Sequence, residues 1–541
     1  MKRRRTHGAQ MIAMLALGAA IVMAGCRDEA RDQHLSVGAK VLRLAATEDV
    51  PTLDPAVGYD TASWSFEQLI FDTLVRYSDA GVELIPDLAT RWEVSKDATS
   101  FTFHLRRDAT FTNGRSVIST DCKYAIQRVL TPAVRSKGIE YFRTIVGAED
   151  FVAGRAKEVA GIETPDAWTI TFKLIAPDPI FTQKLAMPFA AAVPHEVADR
   201  WGEDFSRHVV GSGPFRLKEW RSGERIILVR NPHYFDRALP RLDAIVELVG
   251  VDQELQWLKF EAGEIDVSAI PPAEFLHVMK TPALQKLTQH IVTLSTDYLG
   301  MNCRMKPFDD VRVRRAFNYA IRKDKLTALL NGRGLAAPGV LPPGLPGYDP
   351  AIVGYPYDPA QARQLLEAAG VGRDFAPTLW MRADQAETIL GESIQQDLAE
   401  VGVHVVLKPV AWSPLLEAIR QPDTVGLFSL GWEADFPDPQ NFIEVLFAEK
   451  QFGSNNDTFY SNPAVEALLE QAAPLSDFKH RFELYDQAQR LIVAEAPWVP
   501  LYHPVTYVIR QPWVHDYILN PMRPTRLDKV WTDAHEGANS R

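Results

Sequence analysis

From residue 378 to residue 430 one pattern recurs: a short apolar run, a longer amphipathic stretch, then another short apolar run. Residues 378–382 read as a strand, 387–401 as a helix stopped by Gly402, 403–408 as a strand, 412–420 as a helix and 425–430 as a strand. Strands joined through helices need right-handed crossovers, so this order predicts a parallel sheet with helices packed on it and an α/β fold class. In open parallel sheets ligands sit beyond the carboxyl ends of the strands. Those ends carry Arg382 after one strand and Gly431-Trp432-Glu433-Ala434-Asp435 after another, which makes them the first candidates for a binding site.

The first two-fifths of the chain has a different texture. Phe101, Phe103 and Leu105 alternate with Thr102, His104 and Arg106, and Trp168, Ile170, Phe172 and Leu174 alternate with Thr169, Thr171 and Lys173. A period of two predicts half-buried strands of an antiparallel, sheet-rich body. Asn113-Gly114 signals a hairpin turn, and residues 226–230 form a strand after Gly223. From about residue 300 helical spacing takes over: Val313, Ala316, Phe317, Ala320 and Ile321 mark one helix. Asp358 as N-cap, Pro359 at the first helical position and Gly370 past the end mark another. The Pro- and Gly-rich residues 338–350 read as an exposed loop. Cys122, Ala125, Ile126, Val129 and Leu130 lie on one helical stripe behind the capping candidates Ser119 and Thr120. Cys122 is therefore expected to be a buried packing thiol, not half of a bridge to Cys303.

A chain of 541 residues with three cysteines should hold two or more packed units and is no disulfide-stapled miniprotein. Its one long apolar run, Met11 to Ala24, is too short for a comfortable membrane span, so the chain is not a permease. That run follows Lys2-Arg3-Arg4-Arg5 and ends in Met23-Ala24-Gly25-Cys26, the layout of a secretory signal over residues 1–25. The cysteine at the junction resembles a bacterial lipobox, so Cys26 is the expected lipidation site and residues 26–38 a polar tether. Arg27 after it lacks the usual inner-membrane retention signal. The expected localisation is the periplasm or cell envelope, with the body held to a membrane by its lipid. The formal charge is −11, and losing the four basic residues of the leader takes it to about −15. Such a balance argues against nucleic acid as a partner.

Catalytic and cofactor signatures are missing. Gly-Lys does not occur anywhere, so there is no P-loop. His195-Glu196-Val197-Ala198-Asp199 lacks the second histidine of a helical zinc pair and reads as a solvated helix start. No Gly-x-Ser-x-Gly elbow is present, Ser476-Asp477-Phe478-Lys479 stands without companion motifs, and Gly211-Ser212-Gly213 lacks the third glycine of a dinucleotide fingerprint. The expectation is no catalytic residue, no metal and no cofactor.

Several strings carry a family resemblance. They are Leu53-Asp54-Pro55, Ile85-Pro86-Asp87-Leu88-Ala89, Trp92-Glu93-Val94-Ser95, Phe101 to Arg106, and Gly211-Ser212-Gly213-Pro214-Phe215. Pro307-Phe308-Asp309-Asp310-Val311-Arg312-Val313-Arg314 and Asp435-Phe436-Pro437-Asp438-Pro439 before Asn441-Phe442 complete the set. Together, from about residue 41 to 530, they resemble the extracellular solute-binding proteins of family 5, the peptide, nickel and opine receptors of ATP-binding cassette (ABC) importers. The resemblance implies a two-lobed periplasmic-binding-protein-like α/β fold, type II, large cluster C, with a hinge and an interlobe ligand cleft. Lobe I would take residues 39–293, lobe II 294–502, and residues 503–541 would return to lobe I and form the tail. The implied partners are a short peptide or other small amphoteric solute and an importer's permease and ATPase, the protein itself being a monomer.

The resemblance also assigns site residues. In the peptide-binding branch an aspartate after the Gly-Trp pair takes the ligand's ammonium, and Asp435 matches it. Dipeptide binders place an arginine at the end of the earlier strand for the carboxylate, and Arg382 matches that. Longer-peptide binders use an arginine two residues before the Gly-Trp pair, where this chain has Ser429. Backbone groups of Gly431, Trp432, Glu433 and Ala434 can pair with a peptide main chain as an added strand would. Trp432 and Trp412 lie beside the expected cleft, and Thr47 and Glu48 end the first-lobe strand expected to meet the ligand. The expected function is capture of a dipeptide or short peptide for import, without catalysis. The rival expectations are an envelope peptide hydrolase and a signalling or chaperone-like receptor, which turnover of peptides would separate.

Overall fold

The computed structural model describes residues 38–372, 374–522 and 525–533. The leader, Cys26, the tether up to residue 37 and the tail from residue 534 lie outside the described residues.

The first-lobe frame is a four-stranded sheet in which Val41–Ala45 runs parallel to Ala244–Leu248, followed by the antiparallel strands Arg225–Arg230 and Phe215–Arg221. A second four-stranded sheet is antiparallel throughout, in the order Ala89–Val94, Ser100–Leu105, Thr169–Lys173, Ile162–Asp166. Its period-two alternation has the predicted cause: Phe101, Phe103, Ile170 and Phe172 are fully buried, with Phe142 and Phe181 packed against them. Each such side chain is worth about 1.5–3 kcal/mol relative to exposure. Helix Ser119–Leu130 covers this body with Cys122, Ile126, Val129 and Leu130 inward. Cys122 is 2% exposed, and neither it nor the half-buried Cys303 is in a disulfide. The expected caps are displaced: Ile118 occupies the N-cap, its N–H donates to the Asp121 carboxylate at 2.9 Å, and Ser119 Oγ instead donates to the Asp166 carbonyl at 2.6 Å. A carboxylate at the third helical position satisfies the terminal donor as well as a hydroxyl cap would, which releases Ser119 to pin the neighbouring sheet.

The third sheet follows the order Val267–Ala269, Trp498–Arg510, Ser295–Met301, Leu427–Glu433, Thr378–Arg382, Val406–Val410, with Thr288–Val292 and Gly334–Ala336 also pairing to Trp498–Arg510. The strand Thr378–Arg382 is parallel to both Val406–Val410 and Leu427–Glu433, as the crossover argument requires. Between them run helices Gln385–Glu400, capped by Asp384, and Trp412–Ile419. The middle strand begins three residues later than the apolar run suggests. Val403 and Val405 are buried in the turn that closes the preceding helix, where Gly402 has φ +86° and Val403 N–H donates to the Leu398 carbonyl. Their hydrophobicity marks a helix-end anchor, not a strand.

Residues 338–350 are not an exposed loop. Val340 and Leu341 are each 1% exposed. The burial is tolerated because Gln489 Oε1 accepts from both of their N–H groups, at 3.0 and 2.9 Å, and Thr296 Oγ1 donates to the Val340 carbonyl at 2.8 Å.

Two of the recognised motifs turn out to be braces. Asp54 and Arg128 form a two-pronged buried pair at 2.5 and 2.6 Å, tying the Leu-Asp-Pro turn to helix Ser119–Leu130. Arg314 donates to the carbonyls of Phe308 and Glu495, at 2.8 and 2.9 Å, joining its own loop to the end of helix Phe478–Glu495.

The strand Trp498–Arg510 changes partners along its length. Its first part pairs with Ser295–Met301, Gly300 opposite Trp498 and Asp297 opposite Tyr502, and its second part pairs with Thr288–Val292, Val292 opposite Val505. Thr293 N–H donates to the Pro504 carbonyl at the changeover.

Candidate functional site

Strand Leu427–Glu433 lies antiparallel to Ser295–Met301 with Gly431 opposite Asp297 and Glu433 opposite Ser295. A Cβ on Gly431 would meet Asp297 Oδ1 at 2.9 Å, so only glycine lets that carboxyl lie across the strand. Past Glu433 the chain turns: Ala434 is buried with its N–H on the Leu294 carbonyl at 2.9 Å, and Asp435 is thrown toward the first two-fifths of the chain.

There its Oδ2 accepts from Tyr59 Oη at 2.9 Å, Tyr141 Oη at 2.8 Å and Asn441 Nδ2 at 3.3 Å. The two phenols lie 3.1 Å from each other. Phe189 packs against both rings and against Trp64. Asn441 is the positioning hub, because its Oδ1 accepts from both the Asp435 N–H and Trp432 Nε1 at 3.0 Å. Burial raises the Asp435 carboxyl above its ordinary range, and the hydrogen bonds from Tyr141, Tyr59 and Asn441 act against that rise. Burial and the adjacent carboxylate push both tyrosines well above the usual phenol range, so they stay protonated and keep an O–H to donate.

Arg382 ends its strand with Nε donating to Asp384 Oδ2 at 2.6 Å, and its side chain is 56% exposed. Asp384 in turn caps helix Gln385–Glu400. Burial opposes the charge on Arg382, but the hydrogen bond to Asp384 and the carboxylates of Asp384, Glu387 and Asp297 outweigh it and hold its pKa above the ordinary value. Ser429 Oγ donates to Glu387 Oε2 at 3.1 Å.

The remaining sequence candidates are spread out. Trp432 is half-buried against the apolar cluster that contains Leu430, Ala434 and Phe442. Glu433 is half-buried on the same strand. Trp412 is the first residue of its helix, 48% exposed, with no hydrogen bond or ring contact to Asp435, Trp432 or Arg382. Thr47 and Glu48 are exposed beyond the strand, which ends at Ala45; Thr47 Oγ1 accepts from Gln256 Nε2 at 3.3 Å, and neither residue joins the Asp435 network. Sequence reading missed Tyr59, Tyr141 and Asn441. The only local signal was Asn441 two residues after the Asp-Pro pair; the tyrosines reach Asp435 from 376 and 294 positions away, beyond any local pattern.

Among the described residues no cluster of His, Cys, Asp and Glu could hold a metal ion, and no helix is long and apolar enough to cross a membrane.

Comparison with known proteins gives the family of the chain. The family model described as bacterial extracellular solute-binding proteins, family 5 Middle, matches residues 83–454. Heme-binding protein A of Haemophilus influenzae is 31% identical over 478 residues, 84% of this chain and 85% of that protein. Di/tripeptide-binding protein 4 of Pseudomonas aeruginosa is 32% identical over 491 residues, covering 86% and 89%. Among solved structures, the periplasmic binding protein DppA from Helicobacter pylori in complex with the peptide STSA aligns with a TM-score of 0.78 at 28% identity, over 92% of this chain and 99% of that one. The two-lobed α/β architecture is shared, and the chain belongs to the bacterial extracellular solute-binding proteins of family 5.

Proposed function

We propose that this chain is the lipid-anchored binding component of an ABC importer, capturing dipeptides or similarly short peptides and handing them to a permease and its ATPase in the cell envelope. Relatives named for di- and tripeptide binding support the ligand class. The observation that carries the reading is Asp435, a carboxyl on the strand-end loop held by two phenols from the other end of the chain. A peptide is a zwitterion, and enclosing it requires a partner for each end or several kcal/mol are lost per ion. Asp435 answers the ammonium. Arg382, with Nε committed to Asp384, keeps its two terminal nitrogens for the two-pronged grip that suits a carboxylate. Lobes of residues 39–293 and 294–502, with a return from residue 503, would close on the ligand about the changeover at Thr293 and Pro504.

Calorimetry with a dipeptide series tests this. Free dipeptides bind, the particle's radius of gyration falls on saturation, and no amino acids are released. Arg382→Ala weakens free dipeptides by about 30-fold or more while C-terminally amidated ones lose little. Equal binding of the free dipeptide to wild type and variant rejects the carboxylate role of Arg382, and release of amino acids favours a hydrolase. The anchor is tested separately. Mass spectrometry of membrane-extracted protein finds an acylated N-terminal Cys26, and Cys26→Ala leaves an unprocessed or soluble form; native protein that is unacylated and freely soluble rules the anchor out.

A further inference from the structure

Next to Asp435 lies a cavity walled almost entirely by the first lobe and the C-terminal return, with Trp64, Glu67, Tyr77, Asp87 and Arg526 among its lining and Asp435 as its one wall from the strand-end loop. Its interior offers about 80 Å³ to water-sized centres, room for several waters or the end of one side chain. Glu67, on helix Thr61–Ile70, is 1% exposed, and neither of its carboxyl oxygens has a hydrogen-bond partner. Asp87 is 3% exposed; its Oδ2 accepts from Thr73 N–H at 3.1 Å, and its Oδ1 has no partner. The cations in the lining, Arg76 on Asp79 at 3.1 Å and Arg526 near Asp528 at 3.4 Å, also face Asp87 and work against the rise that burial imposes on its carboxyl, whereas neither acts on Glu67. Among the described residues, then, it is the Glu67 carboxyl that meets the cavity with both oxygens unpartnered.

Leaving both oxygens of a carboxyl buried without a donor costs free energy, so an incoming donor is strongly favoured there. The carboxyl of Glu67 is also held in place deliberately. A Cβ on Gly58 would meet Glu67 Oε1 at 2.2 Å, so the glycine makes the space in which this carboxyl sits, while Trp64 Nε1 donates to the Gly58 carbonyl at 2.9 Å and fixes that loop. Burial, together with Asp54 and Asp60 nearby, holds Glu67 well above the ordinary carboxyl range, so the empty cavity avoids an isolated buried anion.

We infer that this cavity is a specificity subsite for the first side chain of the bound peptide, and that Glu67 selects a basic side chain carrying an ammonium or guanidinium. The inference rests on the proposed seating of the ligand's α-ammonium on Asp435, which puts the first side chain at the cavity mouth. A cation there supplies the donors that Glu67 lacks, and it restores the ionised form of Glu67 in a dry setting where charge-assisted hydrogen bonds are strong.

The test compares Lys-Ala, norleucine-Ala, Gln-Ala and Ala-Ala by calorimetry on the full protein. Norleucine matches the length of lysine without the charge. Lys-Ala should bind about tenfold or more tighter than norleucine-Ala, and Glu67→Gln should bring that ratio to within about threefold. The ratio is internal to each protein, so partial unfolding of a variant does not change it. Gly58→Ala, which displaces the Glu67 carboxyl, should lower the ratio as well. If Ala-Ala binds but Lys-Ala gains nothing over norleucine-Ala, the subsite is refuted and the peptide reading stands. If Gln-Ala equals Lys-Ala, the cavity selects hydrogen-bonding length, not charge, and the inference fails. If no peptide binds, both readings fall together.

Discussion

Asp435→Asn protein binds free-amine dipeptides roughly 30-fold to several-thousand-fold more weakly than wild type, the range expected when a desolvated ammonium loses its counter-charge. N-acetylated peptides, which bring no ammonium, bind the two proteins within a few-fold of each other. The unliganded variant melts no lower than wild type. Burial raises the Asp435 carboxyl in the folded state, and a carboxyl raised by folding subtracts stability once pH exceeds its unfolded value, so neutralising it removes that deficit. For the same reason wild-type affinity is full above the raised carboxyl value and declines as pH falls through it, at a higher pH than an ordinary aspartate would set. Titration calorimetry from mildly acid to neutral pH measures all of this. Equal affinity of Asp435→Asn and wild type for free-amine dipeptides would remove Asp435 from the site.

Arg481→Met lowers global stability by about 3–5 kcal/mol in urea unfolding, the size expected when one member of a buried ion pair is removed. Arg481 is fully buried, with Nη2 on Asp438 Oδ1 at 3.0 Å and Nη1 on the carbonyls of Ala472 and Ala473 at 2.7 and 2.6 Å. Methionine fills the volume but leaves the Asp438 carboxylate unpaired and two carbonyls without their donor. Asp438→Asn added to Arg481→Met recovers part of the loss, because the unpaired charge is gone while the carbonyls remain unmet. A loss below about 1 kcal/mol would mean that water replaces the guanidinium. Asp438 lies three residues beyond Asp435, so this pair braces the loop that carries Asp435.

What the sequence disclosed and what it hid divide along physical lines. The parallel βαβαβ unit was legible because period and punctuation are local: Asp384, Gly402 and the apolar runs announce themselves within a few residues. Asp435 and Arg382 were singled out as candidates from the strand ends and the family motifs. The strand at 406–410 was misplaced because Val403 and Val405 are buried as a helix anchor, and burial alone does not distinguish the two. The loop at 338–350 was read as exposed because its composition carries no sign of Gln489, whose amide satisfies it from 149 positions away. Tyr59 and Tyr141 were hidden for the same reason. Their roles exist only once the two ends of the chain meet.

The long strand Trp498–Arg510 sets an order on assembly during synthesis. Ser295–Met301 takes one of its two neighbours from it and Thr288–Val292 takes its partner from it, so the eight-stranded sheet waits on this late segment. Contacts this distant in sequence form slowly, since the loop must close before any hydrogen bond rewards it. A chain emerging from its N-terminus therefore holds this sheet incomplete until its last tenth is available. Delayed completion of this kind keeps the larger part of the polypeptide from locking into its final sheet before its end has been made.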